Sequence, residues 1–480
     1  MHRVVIQVGL LVALAGPVLA DTTTQNLAKY HRLRARLTSE FTVVGDGPGH
    51  SQPCPERMDG LGLMKWGDGT IALGFYLGML ATEHHLLAHP ARYPGFGGDL
   101  AGTRDELYYA LLALDRLDLQ ADAAFPECGG TSARNGFFVR DDVPADFHQH
   151  FPGIATIQSD FIDPALTNKE ESQDQIYHLQ HGLALVIALV PADAIVRGRS
   201  LRGWAIEQAQ RITAHFAKAD WIIRNPVCGG RAVDRGDNAI GFSYGETLAA
   251  AYLTDGAFTP TTAGLWSSVW NTLRSPTNPT YGDEDNLHMA LAIMAVGDGY
   301  GDDTATVLAE LSATQDWPLY PLLHRALHPE RAGFCTTGFS INARVREMLD
   351  ELPADGEPAC PGASGPAPHG FTTHNRFIRG KSQAYVGPQT CEGIRYHGLD
   401  YLLLHNLYAI ATPLTWNGDP DADPCAVLPE PDPDGADPGG GDAGVALEDP
   451  VTAAGGCCGA GGSANWPCAI GILLILRRRR

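Results

Sequence analysis

The sequence predicts an all-α body, and three observations carry that expectation. Apolar residues recur with helical spacing along most of the chain, the segments so marked number twelve, and extended patterning is confined to loops between them. In chain order the predicted helices cover 25–39, 70–89, 101–120, 172–190, 198–224, 238–253, 261–274, 284–297, 301–313, 317–327, 340–351 and 394–412. In the second, Leu73, Leu77, Leu80 and Leu87 form an apolar stripe; in the fourth, Ile176, Leu179, Leu183, Val186 and Val190 do so. The last carries Leu399, Leu402, Leu403, Leu407 and Ile410. Strand-like patterning falls at Gly136 to Val143 and His374 to Val386.

Loop lengths are very unequal, and the long loops lead into alternate helices. Twelve helices so connected predict an (α/α)6 toroid, with inner and outer rings of helices around a funnel and short strand-like loops. An α-solenoid would leave a repeat of roughly 34 or 40 residues, and no clear one is present. In helix count and loop pattern the body resembles the six-hairpin glycosidase and polysaccharide lyase superfamily, which implies activity on carbohydrate.

The body runs as one unit from residue 21 to 416, with no internal linker. Residues 417–456 are dense in Pro, Gly, Asp and Glu and almost free of aromatic residues, the composition of a disordered acidic stalk.

Both ends read as targeting segments. Residues 1–20 form a signal peptide: Arg3 supplies the positive start, Val4 to Leu19 is almost wholly apolar, and Val18-Leu19-Ala20 places cleavage after Ala20. No Cys follows that site, so a standard lipoprotein signal is not expected there. At the other end, residues 457–480 open on Cys457-Cys458 within a Gly-rich tract, continue as an apolar run from Trp466 to Leu476, and finish in Arg477 to Arg480. Eleven helical residues span about 17 Å, short of the roughly 30 Å hydrocarbon core. The four arginines resist translocation. The segment resembles the MYXO-CTERM sorting signal of myxobacterial surface proteins. That resemblance implies a sorting protease acting near the Cys pair, lipid carried at Cys457 or Cys458, and a mature protein anchored at the outer cell surface or released after processing.

A net charge of −21, from 34 basic and 55 acidic residues, argues against nucleic acid as a partner. None of the ten cysteines has C-x2-C spacing, so in an exported chain they predict disulfides before zinc. Outside the tail stand Cys54, Cys128, Cys228, Cys335, Cys360, Cys391 and Cys425. Their pairing is not readable, although Cys335 with Cys360 would close a loop of convenient length.

Candidate site residues gather at or just before predicted helix N-termini. They are Trp66-Gly67-Asp68-Gly69, Val139-Arg140-Asp141-Asp142, Ser172-Gln173-Asp174-Gln175 with His178 and His181, Arg235-Gly236-Asp237-Asn238, and Gly282-Asp283-Glu284-Asp285-Asn286 with His288. Helix capping accounts for such residues on its own. On helix 172–190, Asp174, His178 and His181 share a face distinct from the apolar one, as i, i+4 and i+7. They could line a pocket, act as acid and base, or simply cap and hydrogen-bond. A metal would need a further ligand from elsewhere, so none is assigned, and no cofactor is expected.

The resulting expectation is a glycoside hydrolase working on an external polysaccharide, with Asp68, Asp142 and Asp174 as the carboxylates and His178 assisting. Trp66, Phe138, Asp141, His181, Asp237 and Tyr244 are expected to bind substrate, Trp66 by stacking on a sugar face. A lyase is the nearest enzymatic alternative, with Tyr385 and Arg376 as its candidates; a non-catalytic toroid that binds glycan or protein is the other. No Gly-rich phosphate loop, G-x-S-x-G elbow or H-E-x-x-H pair is present.

Overall fold

The computed structural model describes residues 22–130, 134–157, 169–219, 221–233, 239–260, 284–299, 301–315, 317–331, 341–358 and 393–412. Among them the chain is mostly helical. The helices are α1 (Thr22–Arg36), α2 (Gly69–Ala88), α3 (Leu100–Ala124), α4 (Gln173–Leu189), α5 (Leu201–Ala217) and α6 (Ala239–Leu253). They continue as α7 (Glu284–Gly297), α8 (Thr304–Gln315), α9 (Leu319–Leu327), α10 (Ile341–Glu351) and α11 (Leu399–Ala411). These match eleven of the expected spans; the remaining one, 261–274, lies outside the described residues, as does the strand-like segment at His374 to Val386.

Local chemistry sets several boundaries. Asp99 caps α3 by accepting from the Ala101 amide at 3.0 Å, and the Ser200 hydroxyl accepts from Gly203 at the start of α5. Helix α5 stops at Ala217, short of the expected 224, because the backbone turns left-handed at Trp221 (φ 66°) and the Trp221 amide closes back on the Phe216 carbonyl. The final helix begins at Leu399, not 394, because Gly398 adopts φ 79° and the residues before it pair as a strand.

Helices α2 and α4 are buried almost all round, as expected of core helices rather than amphipathic ones. They cross at two glycines: a β-carbon on Gly74 would lie 2.2 Å from the His178 carbonyl oxygen. Helix α2 packs on α4, α4 on α6, α6 on α7, α7 on α9, α9 on α11, and α11 returns to α2. Helix α3 lies on α2 and α5, α5 on α4 and α6, α8 on α7 and α9, and α10 on α11 and α1. Helix α4 also touches α7 and α9 directly.

A small sheet ties together the loops that lead into three of these helices. Its strands are β1 (Glu56–Met58), β2 (Leu63–Lys65), β3 (Ala155–Ile157) and β6 (Ile394–Arg395), in the order β3-β2-β1-β6. β1 is antiparallel to β2 and β6, whereas β2 and β3 run parallel. Strands β4 (Ile195–Val196) and β5 (Arg199–Ser200) form a separate hairpin before α5.

Buried polar groups join the helices. The Arg34 guanidinium of α1 forks onto Glu83 of α2 and reaches Glu106 of α3 at 2.8 Å. The Tyr30 and Thr103 hydroxyls also donate to Glu83, and Tyr76 donates to Glu106. Burial alone would raise the Glu83 carboxyl, but the Arg34 charge and these hydrogen bonds hold it below the usual carboxylate range. Cys128, just past α3, is disulfide-bonded to Cys228 in the loop after α5. Cys54 is a free, buried thiol; Cys335, Cys360, Cys391 and Cys425 lie outside the described residues.

Candidate functional site

The N-terminal half of α4 carries an unusual density of buried polar side chains. Gln173, Gln175, Tyr177, His178, Gln180 and His181 are all buried, between α2 on one side and α6 on another. Asp174 is half-buried in the first turn, where it accepts from the Ser172 hydroxyl instead of capping the helix from outside.

One side of α4 faces α2 and the loop before it. The Thr70 hydroxyl donates to Gln175 Oε1, and Gln175 Nε2 donates to the Gly67 carbonyl at 3.0 Å. His178 stacks on Phe75 at 5.8 Å, and its Nδ1 lies 2.5 Å from the Asp174 carbonyl oxygen. A carbonyl only accepts, so Nδ1 carries the proton in that contact. His181 meets Phe75 edge-on at 4.8 Å, and neither of its ring nitrogens has a hydrogen-bond partner among the described residues. Burial, with His178 beside it, holds the His181 imidazole well below its ordinary range, so it is neutral.

The other side of α4 faces α6. Gln180 Nε2 donates to Glu246 Oε1, and burial pushes the Glu246 carboxyl up to about 7, against the lowering effect of that hydrogen bond. The Tyr177 hydroxyl is raised by burial and by Glu246. This side therefore holds a carboxyl that keeps its proton close to neutrality, beside the Gln180 amide and the Tyr177 phenol.

Several expected site residues serve the framework in this structure. Trp66 is fully buried and packs edge-to-face on Phe147 at 5.5 Å, so its ring offers no open face to a sugar. Phe138 is buried because Gly136 presses the loop onto α5: a β-carbon there would lie 2.2 Å from the Arg211 carbonyl oxygen. Asp141 is buried and accepts from the Val143 amide, an Asx turn. Asp142 takes the Gly49 amide and the Arg116 guanidinium, both at 2.8 Å, which ties two loops together. Asp68 occupies the N-cap position of α2 and is half-buried, but its side chain makes no capping hydrogen bond. Asp237, Cys457 and Cys458 lie outside the described residues, and of Tyr244 only the backbone, within α6, is described.

The structure thus places Asp174, His178 and His181 together on α4, whereas Asp142 is bound by the Gly49 amide and the Arg116 guanidinium in its own loop. Sequence reasoning missed Glu246 and Gln180, which sit inside otherwise apolar or small-residue helix patterns with no flanking motif. The available signal was the polar residue itself: Glu246 interrupts a segment running Gly245-Glu246-Thr247-Leu248-Ala249-Ala250. It also missed Glu171, just before α4. That carboxyl is buried with only a 3.4 Å approach from the Phe138 amide, and burial with Asp118 and Glu170 nearby pushes it well above the carboxylate range. Glu170, by contrast, is paired with Arg231 and Asn225.

Among the described residues no three His, Cys, Asp or Glu side chains are grouped to hold a metal ion, and no helix is long and apolar enough to cross a membrane. No protein-family model, curated protein or solved structure matches the chain.

Proposed function

We propose that this chain is an exported (α/α)6 toroid that hydrolyses glycosidic bonds in an extracellular polysaccharide. The observation that carries the reading is Glu246: a buried carboxyl with its pKa near 7, set opposite the polar stripe of α4. Glycoside hydrolysis needs one carboxyl that is protonated at working pH and a second that is ionised. In the inverting form, Glu246 gives its proton to the departing glycosidic oxygen while the Asp174 or Asp68 carboxylate takes one from the attacking water. The C–O bond breaks, a new C–OH forms, and proton exchange with solvent returns each carboxyl to its starting protonation state before the next turnover.

The toroid is supported by the order of helix neighbours. Helices α2, α4, α6, α7, α9 and α11 contact one another in sequence and return to the first, with the remaining helices packed against adjacent members. Export is supported by the apolar N-terminal segment, by the sorting-like tail, and by the Cys128–Cys228 bridge, which suits an oxidising compartment. Anchoring through Cys457 or Cys458 follows from the tail's resemblance, with a sorting protease and membrane lipid as its partners.

A non-catalytic surface toroid that binds glycan is the second reading. It is favoured by the framework roles of Trp66, Asp141 and Asp142, which leave fewer groups for catalysis than the sequence suggested.

The test is product analysis with the mature chain on a panel of neutral and uronic polysaccharides. New reducing ends without unsaturated sugars are expected, together with loss of at least a hundredfold in rate for Glu246→Gln, in the range typical of a lost general acid. Full turnover by Glu246→Gln and by the Asp174→Asn, Asp68→Asn pair would remove these residues from the catalytic assignment; a parent that released no new reducing ends would remove the hydrolase reading, and an unsaturated product would replace it with a lyase.

A further inference from the structure

The Gly67 carbonyl is held from two directions. Gln175 Nε2, from the first turn of α4, donates to it at 3.0 Å, and Arg140 Nη1 approaches it at 3.4 Å. Gln175 is fully buried, and both ends of its amide are engaged: the Thr70 hydroxyl donates to Oε1, which leaves the nitrogen for a carbonyl that can only accept. Arg140 is anchored in turn, its Nε donating to the Glu170 carbonyl at 2.8 Å and its own carbonyl accepting from Gln52 Nε2 at 2.6 Å.

Asp68 is the next residue in the chain. Its carbonyl accepts from the Ala72 amide at 3.1 Å, so the backbone is pinned on both sides of its side chain. A β-carbon on Gly69 would lie 2.7 Å from the Arg140 carbonyl oxygen, whereas one on Gly67 would meet nothing within 4 Å among the described residues. The corner is therefore packed on the Gly69 side and open on the Gly67 side. Gly67 and Asp68 are half-buried, as is Asp174, the residue before Gln175. The Gln175–Gly67 hydrogen bond thus joins the two segments that carry these carboxylates. Asp174 is engaged by the Ser172 hydroxyl, while the Asp68 side chain makes no capping bond to α2.

We propose that Gln175 is a positioning residue that, through Gly67, holds the Asp68 carboxylate at the open corner, and that Asp68, not Asp174, takes the proton from the attacking water. The assignment rests on the hydrolase reading above and deepens it by choosing its base. A general base must keep its oxygen within hydrogen-bond reach of the water, and a misplacement of about 1 Å costs about a hundredfold in rate.

Steady-state kinetics of the full mature chain across pH test it, with hexasaccharides of glucose, mannose and N-acetylglucosamine and with hexagalacturonate, read as new reducing ends. Asp68→Asn should remove the acid limb of the kcat/KM profile, because that limb reports ionisation of the base in the free enzyme, and Asp174→Asn should keep it. Gln175→Met, close in volume but without the amide, should lower kcat and kcat/KM together by about tenfold or more, with KM little changed. Gly67→Leu covers the case in which the methionine variant fails to fold. The Gly67 backbone is not left-handed and the new side chain enters open space, so the urea midpoint should stay near that of the parent while turnover falls severalfold. An acid limb kept in Asp68→Asn, or lost in Asp174→Asn, would overturn the choice of base. Unchanged turnover in Gln175→Met or in Gly67→Leu would overturn the positioning; in all these cases hydrolysis would stand. A parent that released no reducing ends from any of the four would end the hydrolase reading, and the assignment with it.

Discussion

Gly182 of α4 and Gly74 of α2 meet backbone to backbone: a β-carbon on Gly182 would lie 2.2 Å from the Gly74 carbonyl oxygen. This contact lets the two most buried helices approach closely, and it places the polar stripe of α4 with one side on α2 and the other on α6. Since backbone atoms stand where the new methyl would go, no flexible side chain can yield. Gly182→Ala should therefore cost about 1–3 kcal/mol or more, read as a shift in urea midpoint. A midpoint unchanged from the parent would mean that the helices are not this close.

Glu246 makes stability depend on pH in a direction opposite to that of most carboxylates. Folded, it keeps a proton up to about pH 7, whereas an unfolded Glu releases it near about pH 4.3. Between those values the folded chain binds more protons than the unfolded one, so the stability linked to this group falls as pH rises and levels off above about 7. Glu246→Gln should flatten that part of the melting-temperature profile and leave the variant relatively more stable at pH 8. A parallel profile for parent and variant would show that Glu246 ionises normally.

Glu83 runs the other way. Its carboxyl is held below the usual range by Arg34 and its hydrogen bonds despite burial, so its contribution is present above about pH 4.3 and is lost as pH falls through the folded value. Removing the cation with Arg34→Met leaves a buried carboxylate short of its main partner and should cost about 3–5 kcal/mol near neutral pH. Below pH 4 the difference from the parent should shrink, because Glu83 then takes up a proton. Thermal melts across that range check both statements.

The Cys128–Cys228 bridge spans a sequence separation of 100 residues. Replacing both cysteines with serine should lower stability by about 2–4 kcal/mol, measured by denaturant unfolding under non-reducing conditions. Cys54 should stay unlabelled by a thiol reagent in the native protein and react on unfolding, because burial pushes its thiol far above its ordinary range. Rapid native labelling would place Cys54 at the surface.

The helices were legible because each needs only local information. Leu73, Leu77 and Leu80 mark α2, and Ile176, Leu179 and Leu183 mark α4, since periodicity follows from helical geometry whatever the surroundings. Boundaries were less legible where a distant segment intervened, as when Ile394 and Arg395 pair with Met58 and Arg57 instead of starting the last helix. The site was legible only in part. Asp174, His178 and His181 were readable as one face of α4, but the role of Glu246 depends on the side chain of Gln180 and on complete burial, neither of which is a property of neighbouring residues in the chain.

What the sequence determined by itself is therefore the helical class of the body and the positions of most helices. What only the tertiary structure decided is which polar residues are committed to the framework and which retain unused hydrogen-bonding capacity. Asp142, an expected catalytic carboxylate, and Gln173, only a member of a candidate constellation in the sequence, differ in the structure: one is bound by Gly49 and Arg116 and the other is enclosed with no partner among the described residues. The reason is physical: a side chain's chemistry is set by its desolvation and its neighbours, and both come from segments far away along the chain.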